Sequence, residues 1–106
     1  MPLFAFTCTD GPASAALRAE HLKAHLDHVE AHIDRYAAAG PLKDGEATIG
    51  SLLIVKAGSL AEARTFLETD PYFTAGVWPT ITAAEFRAVA GDWVGGTAWK
   101  NAPKPK

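Results

Sequence analysis

The run Ser51-Leu-Leu-Ile-Val-Lys56 constrains this chain more than any other stretch. It is continuously apolar between its ends and carries β-branched residues, the pattern of a strand buried on both faces. The rest of the chain must therefore cover one side of that strand and leave the other to a further layer.

Upstream, Phe4, Phe6 and Cys8 alternate with Leu3, Ala5 and Thr7, so a first strand is expected over Leu3–Thr9. Asp10-Gly11-Pro12 breaks it, and Ser14 is placed to cap a long helix running from about Ala15 to Ala39. Leu22, Leu26, Val29, Ile33 and Tyr36 form the apolar seam of that helix, with Lys23, Asp27, Glu30 and Asp34 opposite. Gly40-Pro41 stops the helix or carries the chain into a short second strand, and Lys43–Thr48, with Asp44-Gly45, reads as a turn. Ser59 and Glu62 have capping-box spacing at the head of a second helix, Leu60–Glu68. Asp70-Pro71 follows, then Tyr72–Trp78 as a turn or short helix. Glu85–Val89 alternates polar and apolar as a final strand.

Strand, helix, strand pair, helix, strand is the order of a ferredoxin-like α+β domain, an antiparallel βαββαβ sheet with its helices on one face. The bare face then predicts pairing with a second copy, sheet to sheet, as a homodimer. Phe4, Phe6, Phe86, Ala88 and the run 52–55 are too apolar for a face left in water.

All four histidines, His21, His25, His28 and His32, fall within twelve residues at spacings of four, three and four. On a helix of about 3.6 residues per turn they stack in one stripe, roughly 100° round from the centre of the seam. Imidazole exchanges protons near neutral pH and is a common metal ligand, so this border stripe concentrates the chain's obvious chemistry.

With 106 residues the chain has room for one domain. A formal net charge of −2 with signs interspersed gives no footprint for nucleic acid or an anionic membrane. The single cysteine, Cys8, excludes an internal disulfide framework or a cysteine-based zinc site, and reads as a small buried hydrophobe. No signal-like segment opens the chain and no apolar run approaches a membrane span, so a cytoplasmic protein is expected.

Arg18-Ala-Glu-His21-Leu22, Ala39-Gly40-Pro41-Leu42, Gly50-Ser51, Asp70-Pro71-Tyr72 and Ala75-Gly76-Val77 together resemble the YCII-related family, over roughly residues 3–90. The resemblance implies the dimeric α/β barrel class, with a single YCII-like domain expected over residues 1–95; the composition of Asn101–Lys106 adds the expectation of a flexible tail, placed over 96–106. The resemblance also implies a His-Asp pair, which by motif falls on His21 and Asp70. His25, His28 and His32 lie outside the family's motif positions. The activity class associated with the family is dehydrochlorination of a chlorinated hydroxyquinol.

A carboxylate facing one imidazole nitrogen fixes the tautomer and leaves the other nitrogen as general base or acid. His21 and Asp70 would then suit proton abstraction, elimination or isomerisation on a small aromatic or enolisable substrate. Arg18, Ser51 and Tyr72 are candidates to bind it. No cofactor or metal is called for. From spacing alone Asp70 also reads as a helix cap. Two other functions remain open: a dimeric small-ligand-binding module without catalysis, and a metal site on the pairs His21/His25 and His28/His32. Trp78, Trp93 and Trp99 would line a pocket or fill the dimer interface.

Overall fold

Burial of Phe4, Phe6 and Cys8 on one side of the strand Leu3–Thr9 (β1) organises the molecule, which a computed structural model describes over residues 1–99. The chain continues through α1 (Ser14–Ala31), a 3-10 turn (Ile33–Arg35), β2 (Tyr36–Asp44), β3 (Ala47–Lys56), α2 (Leu60–Leu67), α3 (Pro71–Ala75) and β4 (Thr80–Phe86). A small hairpin, β5 (Ala90–Gly91) and β6 (Gly96–Thr97), follows.

The four long strands form one antiparallel sheet in the order β2-β3-β1-β4, the expected ferredoxin-like α+β arrangement. Phe4, Phe6, Cys8, Leu53 and Val55 pack on Ala63, Phe66, Leu67, Tyr72, Val77 and Trp78, so all three helices share one face of the sheet. β1 and β3 run in unbroken register from Leu3 opposite Lys56 to Thr9 opposite Gly50. At Gly50 a Cβ would run into the Cys8 carbonyl oxygen, so glycine is what lets the two strands close.

Several boundaries differ from those expected. The first helix ends at Ala31, and the alanine-rich stretch after Tyr36 is strand β2, paired with the apolar run of β3. Ladder formation against that run outweighs alanine's helix preference. The expected turn shrinks to Gly45-Glu46, with Gly45 at a φ of 61°. The last strand is Thr80–Phe86 rather than Glu85–Val89. Ser14 does not cap α1; it is the first helical residue, accepting from the Gly11 amide and donating to the Val77 carbonyl. Ser59 caps α2 as expected, accepting from the Glu62 amide at 3.1 Å.

The long helix is also rolled relative to its expected seam. Leu22 and Leu26 are 48% and 53% exposed, whereas Leu17, His25, His28 and Val29 turn toward the core. The roll has a physical origin in the aromatic rings that receive the imidazoles. His25 stacks on Tyr72 and His28 on Phe66. Of the tail expected over 96–106, Gly96–Thr97 is paired in the terminal hairpin and residues 100–106 lie outside the described residues.

Candidate active site

Asp-Pro at the head of a helix fixes the backbone before the side chain has any partner. Pro71 holds Asp70 in an extended conformation, with ψ 129°, and Asp70 caps α3 by accepting from the Tyr72 amide at 2.8 Å. The same oxygen, Oδ1, accepts from His25 Nδ1 at 2.8 Å. Asp70 is only 1% exposed, and its Oδ2 accepts no hydrogen bond from the described residues. The helix cap and the partner of His25 are thus one carboxylate.

His25 is held on three sides. Asp70 binds Nδ1, the Tyr72 ring stacks on the imidazole at 3.8 Å, and the Trp78 edge meets it at 6.4 Å between centroids. A carboxylate only accepts, so Nδ1 carries the proton in that bond and Nε2 is the nitrogen left for chemistry. Among the described residues, Nε2 of His25 has no hydrogen-bond partner.

Sequence reasoning placed His21 on Asp70, and here the structure differs. His21 sits one turn earlier, its Nε2 3.8 Å from the exposed carboxylate of Glu20. The head of α3 meets α1 at the level of His25, so the tertiary position of Asp70 selects among four equivalent-looking histidines. The other two point elsewhere. His28 Nε2 meets Thr69 Oγ1 at 3.3 Å, and His32 Nδ1 donates to the His28 carbonyl at 2.8 Å. Burial pushes the His28 imidazole below its ordinary range. Among the described residues no three His, Cys, Asp or Glu side chains are grouped to hold a metal ion.

Arg18, Ser51 and Tyr72, all singled out from the sequence, line one cavity of about 320 Å³ together with His25. Arg18 donates from Nε and Nη2 to the two oxygens of Asp10, at 2.8 and 2.9 Å, and from Nη2 to Ser51 Oγ at 2.9 Å. This fork leaves Nη1 to a ligand and holds the guanidinium 5.3 Å from the centre of the Tyr72 ring. The Tyr72 hydroxyl donates to the Arg18 carbonyl at 3.2 Å, and burial raises its pKa. Leu22, Leu26, Val29, Ala39, Gly40 and Pro41 complete the wall. A narrow polar end and an apolar body suit a small ring bearing oxygens at one edge.

Asp10 and the pairing role of His25 were not found from sequence, and Trp78, expected at a pocket or the dimer interface, is buried in the core with its edge on His25. Asp10 reads in the sequence as a strand breaker, and nothing in the histidine spacing ranks His25 above its neighbours.

The YCII-related domain model matches residues 2–87 of the chain. Among solved structures it is similar to the 5-chloro-2-hydroxyhydroquinone dehydrochlorinase TftG of Burkholderia phenoliruptrix, in complex with 2,5-dihydroxybenzoquinone. The two share 28% identity at a TM-score of 0.72, covering 85% of this chain and 96% of that one. No curated protein matches the chain.

Proposed function

We propose that this chain, which belongs to the YCII-related family, is a homodimeric enzyme acting on a small oxygenated ring, with His25 and Asp70 as its acid-base dyad. The observation that carries this reading is the 2.8 Å contact between His25 Nδ1 and a carboxylate that is 1% exposed. A histidine so tethered and stacked has one free nitrogen at a cavity wall. That is the arrangement a general base requires.

Nε2 of His25 takes a proton from the substrate. The released electron pair moves through the ring, a π bond forms and a leaving group such as halide departs with its bonding electrons. Asp70 holds the imidazolium in place and itself keeps no proton. Nη1 of Arg18 and the Ser51 hydroxyl face the developing charge on a substrate oxygen. The likeness to a dehydrochlorinase supports a lyase-type reaction of this kind.

The test is chloride release from 5-chloro-2-hydroxyhydroquinone and from related halogenated hydroxyquinols, by wild type and by His25→Gln. General acid-base catalysis contributes about 10²–10⁴-fold, and the variant should lose that much. A wild type that binds 2,5-dihydroxybenzoquinone but turns over none of the panel would point instead to a binding module.

A further inference from the structure

The arm that follows β4 packs poorly on its own domain. Val89 and Trp99 are about half and two-thirds exposed, and Trp93 is 80% exposed at the tip of the terminal hairpin. An indole held in water by an ordered hairpin costs free energy with no return inside the monomer. The arm also lies beyond residue 87, where the match to the family domain stops.

Trp93 does stand over something. With Ala38, Gly40, Leu52 and Ile54 it lines a shallow cavity on the side of the sheet that carries no helix. Residues paired across antiparallel strands point to the same side, so the register fixes the composition of that outer face. Where the four strands lie side by side it presents Leu3, Ala5, Leu52, Ile54, Ala84 and Phe86, with threonines, Ala38, Gly40 and Leu42. Lys56, at one corner, is the single ionisable side chain among the described residues there. A face whose only charge sits at one corner offers little to an acidic, basic or phosphate-bearing partner. A second copy of the same face is the surface that matches it, and two such faces close on one another by a two-fold axis.

Area decides what the arm adds. Four strands about 4.8 Å apart and seven residues long, at about 3.4 Å per residue, make a face of roughly 450 Å² in projection. A stable interface takes about 800 Å² from each partner. Each large aromatic side chain adds about 150–250 Å² of buried surface to what the sheet face supplies.

We propose that the arm Val89–Trp99 is a clasp for a second copy of this chain, with Trp93 lying between the two outer sheet faces. The clasp rests on the homodimer reading given above, and makes Trp93 the residue on which dimer strength depends.

Sedimentation equilibrium of the full chain, wild type and Trp93→Ala, tests it. The expected result is a wild-type dimer whose dissociation constant rises about tenfold or more in the variant, as for other central aromatic anchors. A dimer of unchanged strength in a folded variant overturns the clasp and leaves the dimer standing. A wild type that is monomeric at every concentration overturns both. Should Trp93→Ala not fold, hydrogen exchange of the wild type asks the same question. Amides 89–98 should exchange more slowly in concentrated than in dilute protein, and equal rates reject the clasp.

Discussion

The Tyr72 ring lies flat against the His25 imidazole, the centroids 3.8 Å apart and the planes 3° from parallel. With Nδ1 tied to Asp70, this stack removes the remaining freedom of the imidazole. Position is what the chemistry of such a base depends on, since a small misplacement of a catalytic group costs rate steeply.

Tyr72→Phe keeps the stack and loses the hydroxyl bond to the Arg18 carbonyl. It should lower stability by about 1 kcal/mol, or roughly 4–8 °C in Tm, with kcat nearly unchanged. Tyr72→Leu removes the stack and should lower kcat by about tenfold. Steady-state kinetics beside thermal melts separate the two effects. Equal kcat in Phe and Leu variants would mean the ring positions nothing.

His21→Gln and His25→Gln should behave differently despite sharing one stripe. The first loses a half-exposed ring near Glu20 and should keep turnover within about twofold. The second breaks the bond to Asp70 and should lose about 10²–10⁴-fold. The reverse pattern in side-by-side kinetics would return the dyad to His21.

Burial raises the Cys8 thiol from its ordinary 9.0 to about 12, so the folded chain holds it protonated. Its stabilising contribution is complete below pH 9.0 and is lost as pH climbs towards 12. At about pH 8 the native protein should react with a thiol-specific reagent on the order of a hundredfold slower than the chain in denaturant. Equal rates would show that the strand is open to solvent.

His28 titrates with the opposite sense. Burial, with smaller contributions from His32 and His25 and against the pull of Asp70, lowers its pKa below 6.5. Folding therefore favours the neutral ring, and its contribution is complete above pH 6.5 and is lost as pH falls below it. His28→Gln removes that titration. Between about pH 8 and pH 5 the wild type should lose more Tm than the variant, and parallel melting curves would count against it.

The fold was legible because β1 and β3 are patterned without ambiguity, Phe4, Phe6 and Cys8 by alternation and Leu52–Val55 by a solid apolar run. The first half of β2 was not, because Tyr36-Ala-Ala-Ala39 has no local preference for a strand and becomes one only against Ile54 and Leu53. The site was half legible. Asp70, Arg18, Ser51 and Tyr72 come to one place as read from the chain, whereas the choice of His25 over His21 depends on where a five-residue helix begins, 45 positions away. The roll of α1 was hidden for a related reason. A hydrophobic seam predicts the buried side of a helix when leucines are what the core accepts, and here the core offers aromatic rings to imidazoles.

Asp70 is a fixture of the frame as well as the anchor of His25, since removing its carboxylate loosens the head of α3 and frees His25 together. Leu22 and Leu26 touch the same cavity from a helix face already half in water, and little of the core leans on them. Exchanging them reshapes what the cavity admits at small expense to folding. On the proposed reading the dyad is thus bound into the frame, whereas part of the cavity wall rests on two residues whose exchange asks little of the core.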